Sequence, residues 1–181
     1  MTKYPMMHVQ ALADYNSEKA TGEWIETDRS AEAIQEEIDE ILKNSKEPNA
    51  EEFIVTEYDN MPDFGEHPDI ELLAEVVEIV EDHGSPFLAW FDNCMDRDMD
   101  DADEMRSEFE ERYRGEYSDA GEYGVEMAEG MFSDCPKDSK IWMYIDYKSI
   151  AHDFDLSGGV FVQVGQYDQR FYGIYVFDYT Y

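Results

Sequence analysis

The stretch SAEAIQEEIDEILK, residues 30–43, decides how the first part of this chain folds. Its isoleucines and its leucine recur at the i, i+4, i+7 and i+8 spacing of one helix face, and Ser30 can cap the first turn. Residues 8–12 and 22–27 before it, and residues 52–57 after it, are short runs typical of strands. The pattern therefore predicts a hairpin, a helix and a closing strand.

The rest of the chain alternates helical and strand patterns. Two prolines and a glycine make residues 61–68 a linker. Apolar side chains at helical spacing predict further helices over residues 69–83, 85–91, 98–114, 119–131 and 141–154. Residues 160–164 and 172–177 alternate as strands and are expected to pair as a hairpin. The predicted fold class is therefore α+β, with short antiparallel sheets and acidic helices.

The composition combines a strong negative charge with enough apolar surface for a core. Asp and Glu number 45 against 13 Lys and Arg, a net charge of −32, while 43% of residues are apolar and 14% aromatic. That apolar content argues against disorder. The tryptophans and phenylalanines that favour a core interpretation include Trp24, Trp90, Phe109 and Trp142, and Cys94 and Cys135 are expected to be buried thiols. No leader or membrane-spanning run occurs, which predicts a cytoplasmic protein that contacts neither nucleic acid nor membrane but a basic partner.

The negative charge follows helix faces. Acids of the helix over residues 30–43 lie opposite its isoleucines, and acids of residues 98–114 lie beside Met105 and Phe109. The acidic surface predicted to bind a partner comprises Glu32, Glu36, Asp39, Glu40, Asp98, Asp101, Glu104, Glu108, Glu111, Glu116, Glu122 and Glu126. Like charges four residues apart destabilise a helix by about 0.2–0.5 kcal/mol per pair, so their retention indicates a use. On a DNA duplex, 32 charges extend over roughly 54 Å, or about 16 base pairs.

Composition alone leaves three interpretations open. The protein could imitate DNA, bind other basic proteins such as histones, or be a halophile's acidic protein. A calcium site in the aspartate-rich residues 96–103 does not fit an EF-hand, because a loop from Asp96 would have Asp101 and Ser107 where Gly and Glu are required. Loose, weak cation binding there stays open. The four histidines are scattered and no catalytic motif occurs, so we predict no catalytic, cofactor-binding or metal-binding residue and no enzyme activity.

Four segments resemble, in order, the ArdA family of antirestriction proteins, which mobile genetic elements carry. The first, YNSEKATGEWIE at residues 15–26, is similar to the family's Tyr-Asn … Gly-x-Trp hairpin, although Glu18-Lys19 stands where a glycine turn is expected. The others are EEFIVTEYDNMP (residues 51–62), FEERYRGEYSDAGEY (residues 109–123) and YIDYKSIAHDFDLSG (residues 144–158).

The resemblance implies an elongated chain of three small domains that forms a homodimer. We expect an N-terminal hairpin-helix-strand domain over residues 1–62, a central helical domain over 63–108 and a C-terminal α+β domain over 109–181. Dimerisation is expected through the C-terminal third, where residues 144–154 and the aromatic strands offer apolar surface. The resemblance further implies that the acidic surface occupies the DNA groove of the specificity and methylation subunits of type I restriction-modification enzymes, without chemical turnover.

Overall fold

A computed structural model describes residues 4–19, 21–96, 99–168 and 172–180 of the chain. The helices are α1 Leu12–Asn16, α2 Ala31–Lys43, α3 Ile70–His83, α4 Ser85–Asn93, α5 Ala102–Arg112, α6 Ala120–Met131 and α7 Tyr147–Leu156. The strands are β1 Met6–Ala11, β2 Glu23–Glu26, β3 Phe53–Asp59, β4 Tyr113–Tyr117, β5 Gly159–Gln163 and β6 Ile174–Asp178. Helices and two small antiparallel sheets confirm the α+β class.

The chain forms two compact units. The N-terminal unit takes the described residues of 1–84 and 97–104, and the C-terminal unit takes those of 85–96 and 105–181. The boundary therefore falls at Gly84, which ends α3 with a φ of 63° that glycine tolerates best. The three-domain division at residues 62 and 108 stays a prediction.

The N-terminal unit is a three-stranded sheet covered on one face by two helices. Its strand order is β2-β1-β3, and all pairs are antiparallel, so the hairpin and closing strand are confirmed. Ser30 caps α2 as expected, since its hydroxyl accepts a hydrogen bond from the Ala33 N–H at 3.3 Å. One apolar cluster joins the sheet to α2 and α3; its buried members are Met7, Val9, Ile25, Ile34, Ile38, Ile41, Val55, Met61, Leu73 and Val77.

A buried carboxylate fixes the connection between β1 and β2. Asp14 accepts hydrogen bonds from the Thr21 hydroxyl at 2.8 Å and from the Lys46 and Glu47 N–H groups at 3.2 and 3.1 Å. Burial by itself would raise the pKa of the Asp14 carboxyl, but these hydrogen bonds outweigh it and lower the pKa. Glu18 in the same connection has a φ of 55°, so the backbone there has the glycine-like conformation that the resemblance leads one to expect.

The C-terminal unit is a second three-stranded sheet, of order β4-β6-β5, with α6 and α7 packed on each other. The predicted hairpin of the last two strands is confirmed, because Phe161 pairs with Val176 in an antiparallel register. Aromatic rings fill much of the interior: Phe109 lies edge-on to Phe87 with 5.4 Å between ring centroids, and Trp90 is fully buried. Burial of these large rings contributes to the stability of this unit.

Two predicted helices are shorter in the structure. The helix expected over residues 98–114 begins at Ala102 and ends at Arg112, because Tyr113 already pairs with Phe177 in the sheet and Gly115 takes a φ of 126°. The helix expected over residues 141–154 is broken into a 3-10 turn, Lys140–Tyr144, and α7. Asp146 causes the restart, since its side chain caps α7 by accepting from the Ser149 N–H at 3.1 Å.

Four residues expected in the core are more exposed than predicted. One of them, Trp142, is only partly buried because it lies in the 3-10 turn Lys140–Tyr144, which has no buried residue. Trp24 is 43% exposed, because it faces away from the core on the edge strand β2 while its neighbour Ile25 faces inward. Cys94 and Cys135 are only partly buried, since each lies in a connection after a helix. Burial nevertheless raises the pKa of the Cys94 thiol to about 12, so this thiol stays protonated at neutral pH.

The contact between α6 and α7 predicts a stability effect with an internal control. A Cβ added at Gly124 would lie 2.1 Å from the Tyr147 carbonyl oxygen, whereas one added at Gly130 of the same helix meets nothing within 4 Å. We expect Gly124→Ala to lower the free energy of unfolding by about 1–3 kcal/mol. Gly130→Ala should leave it unchanged or raise it by up to about 1 kcal/mol. Denaturant unfolding checks both; equal effects would show that the helices do not approach so closely.

Candidate partner-binding surface

The acids of α2 form a row on the side opposite its buried isoleucines. Glu32, Glu36, Asp39 and Glu40 are all exposed, while Ile34, Ile38 and Ile41 point into the core. Hydrogen bonds from the backbone N–H of Glu32 and from Ser30 lower the pKa of the Glu32 carboxyl. Its negative charge also interacts favourably with the positive N-terminal end of the helix dipole. Within the described part of the chain, none of the four has a Lys or Arg nitrogen within 4 Å.

A second row, which the sequence analysis missed, lies on α3. Glu71, Glu75 and Glu78 are exposed at i, i+4 and i+7, on the side of α3 opposite the buried Leu73 and Val77. The sequence contains the signal for this row, because its acids recur at the same helical spacing as those of α2. Since α2 and α3 pack on the same core cluster, the two rows belong to neighbouring helices of one unit.

The row predicted on α5 is less uniform. Asp101 and Glu104 are exposed in the N-terminal unit, where the Asp101 carboxylate accepts from the Glu104 N–H at 2.9 Å and caps the helix. Glu108 and Glu111 belong to the C-terminal unit, and Glu108 is half-buried against Arg112, with 3.1 Å between nitrogen and oxygen. Asp98 lies outside the described residues.

The remaining predicted acids lie on β4 and α6 of the C-terminal unit. Glu116, Glu122 and Glu126 are exposed. The Glu122 carboxylate accepts from the Ser118 N–H at 2.6 Å, which lowers its pKa, and Glu126 accepts from the Tyr117 hydroxyl at 2.9 Å. The Tyr117 pKa is raised, first by burial and then by this hydrogen bond to Glu126. Hydrogen bonding to neutral donors leaves both carboxylates negatively charged and facing solvent.

The two units differ in charge. The residues of the N-terminal unit include 28 Asp and Glu against 6 Lys and Arg, whereas those of the C-terminal unit include 17 against 7. The ion pairs among described residues mostly use acids outside the predicted surface, such as Glu47 with Lys19 at 2.5 Å and Asp178 with Arg114 at 3.2 Å. Among the residues that the structure describes, no Lys or Arg therefore forms an ion pair with the acids of the α2 row or of the α3 row.

Within the described ranges, no three His, Cys, Asp or Glu side chains group in a way that could hold a metal ion, although the aspartate-rich segment is described only in part. No described helix is long and apolar enough to cross a membrane. A depression on the C-terminal unit is lined by the polar side chains of Asp119, Lys148, His152 and Asp155 and by the Phe161 ring.

The small α+β fold carries exposed carboxylates along several of its helices, which is the charge pattern that the resemblance to the ArdA family leads one to expect. The family comparison agrees: the sequence model of the ArdA antirestriction proteins matches residues 7–169. The chain therefore belongs to the ArdA family and is an antirestriction protein. No individual curated protein matches it.

Proposed function

We propose that this protein is a DNA mimic that occupies the DNA-binding groove of a type I restriction-modification enzyme, on its specificity and methylation subunits. Binding there would protect incoming mobile DNA without chemical turnover. The observation that carries the proposal is the pair of exposed carboxylate rows on α2 and α3, which pair with no Lys or Arg in the described ranges of the chain.

The dimensions of these rows suit a partner that binds phosphates. Carboxylates at i, i+4 and i+7 recur at about 5–6 Å along a helix, and packed helices lie about 8–10 Å apart. The grooves of duplex DNA, which separate its phosphate rows, are about 6 and 12 Å wide. Two neighbouring acidic helices can therefore place two rows of negative charge at a separation similar to the width of a DNA groove. A protein surface that evolved to bind phosphates presents Lys and Arg at such intervals.

We also propose that the protein acts as a homodimer joined through its C-terminal unit. The aromatic side chains of β6 are buried in their own unit, so the apolar surface for a partner lies elsewhere. Ile141, Met143 and Tyr144 are 55%, 80% and 83% exposed, and Met131 and Phe132 are exposed nearby in sequence, with the Phe132 ring 6.3 Å from the Trp142 ring. Interface cores are depleted in charge, and none of these five exposed side chains is charged.

The experiment is a competition between the purified protein and DNA for a type I restriction-modification enzyme. We expect near-stoichiometric inhibition of DNA binding that excess specific DNA relieves and that weakens as salt rises, because the exposed charges of both partners become screened. Inhibition that excess DNA does not relieve would contradict the DNA-mimic model. Turnover of DNA or nucleotide by the purified protein would replace the model with an enzyme, and equal inhibition of unrelated basic DNA-binding proteins would favour a general acidic binding module.

A further inference from the structure

The outer face of the N-terminal sheet, turned away from α2 and α3, carries two rows of side chains across its three strands. Antiparallel partners share a face, so the register aligns Trp24 of β2, His8 of β1 and Glu57 of β3 in one row. The second row is Glu26, Met6 and Asp59. We call these six residues the outer sheet face. On this face, aromatic and apolar side chains lie beside carboxylates, whereas the helix rows contain carboxylates only.

Trp24 is held in place while remaining accessible. Its ring centroid lies 5.4 Å from that of His8, and the His8 Nδ1 lies 2.6 Å from the Thr56 hydroxyl oxygen. A Cβ at Gly22 would lie 2.3 Å from the His8 ring, so only glycine leaves room for this arrangement. The indole is nevertheless 43% exposed. A rigid, half-exposed tryptophan loses little conformational freedom on binding, which is why this residue is enriched in binding hot spots.

The charges around Trp24 select the kind of group that can bind it. Glu57 is exposed and, within the described part of the chain, has no Lys or Arg nitrogen within 4 Å, whereas Glu26 already pairs with Arg29 at 3.1 Å. Two strand spacings, about 10 Å, separate the backbones of Trp24 and Glu57. A long cationic side chain that lies across Trp24 and His8 can bring its charge to the Glu57 carboxylate.

We propose that Trp24 is an arginine-docking site, in which an arginine side chain of a partner lies along the Trp24 and His8 rings and its guanidinium pairs with Glu57. Arginine fits better than lysine because its planar, weakly hydrated guanidinium stacks on aromatic rings and binds carboxylates through two hydrogen bonds. The net charge of the chain opposes the alternative, stacking of a nucleic-acid base. The proposal rests on the proposed function in one respect: the partner is an arginine-bearing DNA-binding surface.

A peptide titration tests the site without any restriction enzyme. Nona-arginine and nona-lysine are titrated into the wild-type protein and into the variants, and isothermal titration calorimetry measures each affinity. In the wild type, nuclear magnetic resonance also follows the Trp24 indole N–H signal. We expect nona-arginine to shift that signal and to bind more tightly than nona-lysine. Trp24→Ala and Trp24→Leu should both reduce nona-arginine affinity by about fivefold and remove the preference over nona-lysine. Full binding by Trp24→Leu would replace arginine stacking with a general apolar contact, and equal binding of both peptides to the wild type would overturn the proposal.

The inhibition assay then separates this site from the proposed function. Trp24→Ala should weaken inhibition of a type I restriction-modification enzyme by about thirtyfold, because the stacked cation is desolvated in the full complex. The matched control is Tyr15→Ala, since Tyr15 is 48% exposed in the same unit but belongs to neither row of the outer sheet face. An unchanged thermal unfolding midpoint excludes misfolding of Trp24→Ala. If Trp24→Ala inhibits the enzyme as strongly as the wild type does, the docking site is wrong and the proposed function stands. If the wild type binds nona-arginine through Trp24 but does not inhibit the enzyme, the proposed function is wrong and the docking site stands.

Discussion

Replacing four carboxylates of the N-terminal unit by amides is expected to weaken inhibition of the restriction enzyme by about a hundredfold. The four are Glu36, Glu40, Glu75 and Glu78, two from each helix row. Each exposed ion pair contributes only about 0–1 kcal/mol, so four together give an effect of this size. The folded protein should become slightly more stable, because Glu36 and Glu40 repel each other at i, i+4. Competition binding and thermal unfolding measure the two effects.

A variant with the same change in net charge provides the control. Asp134, Asp138, Asp153 and Asp155 are exposed acids of the C-terminal unit that belong to no predicted row. Changing these four to asparagine should reduce inhibition by less than about tenfold, since only the general attraction between the partners is lost. If both quadruple variants lose inhibition equally, net charge and not the arrangement of the helix rows explains binding.

Single replacements should have small effects in a distributed surface. Glu36→Gln or Glu104→Gln alone is expected to change inhibition by less than about tenfold. Replacing Asp101, Glu104, Glu108 and Glu111 together also removes the cap that Asp101 gives α5 and the ion pair of Glu108 with Arg112. The expected loss of inhibition therefore combines lost surface charge with a less stable helix. One exposed carboxylate whose replacement alone abolishes inhibition in a folded protein would point to a single active or metal site instead.

Local patterns predicted the elements whose signals are complete in the sequence. Ser30 caps α2 as predicted, and the apolar stripes of α2 and α3 match their buried faces. The helical spacing wrongly predicts that Tyr113 belongs to the helix of Phe109, because its position four residues after Phe109 continues the apolar stripe. Its ring does stack on Phe109, at 5.3 Å between centroids, although its backbone has entered β4. Periodicity reports which side chains share a core, whereas the strand partner that decides the backbone is distant in sequence.

The acidic surface was predictable as a set of helix faces but not as contacts. Spacing along α2 correctly placed its carboxylates opposite the buried isoleucines. It could not distinguish the free carboxylate of Glu36 from that of Glu108, which Arg112 neutralises, because both occupy outward positions. Nor could composition show that Trp24 faces solvent, since that depends on which face of the sheet α2 and α3 cover. The ion pairing of each carboxylate and the exposure of Trp24 depend on neighbours that are distant in sequence. They determine which substitutions change binding without also changing the stability of the fold.

Placing charge in the exposed apolar patch of the C-terminal unit is expected to convert the proposed homodimer into monomers. The variant is Met143→Asp with Tyr144→Asp, at two side chains that are 80% and 83% exposed and therefore contribute little to the fold of their own unit. An unpaired carboxylate buried at an apolar interface loses its hydration without compensation, so dimer affinity should fall by at least about a hundredfold. Sedimentation velocity at micromolar concentration should show the wild type as a dimer and the variant at half its mass.

Leu156→Asp provides the control, because Leu156 is 71% exposed in the same unit but lies outside the patch, at the end of α7. It should remain dimeric. The interface variant should also inhibit less, since a dimer offers charge on the scale of about 32 base pairs and a monomer on that of about 16. Raising its concentration should recover dimer and inhibition together, because dimer formation follows mass action. A wild type that is monomeric at micromolar concentration yet fully inhibitory would remove the dimer from the mechanism and leave the N-terminal helix rows as the active surface.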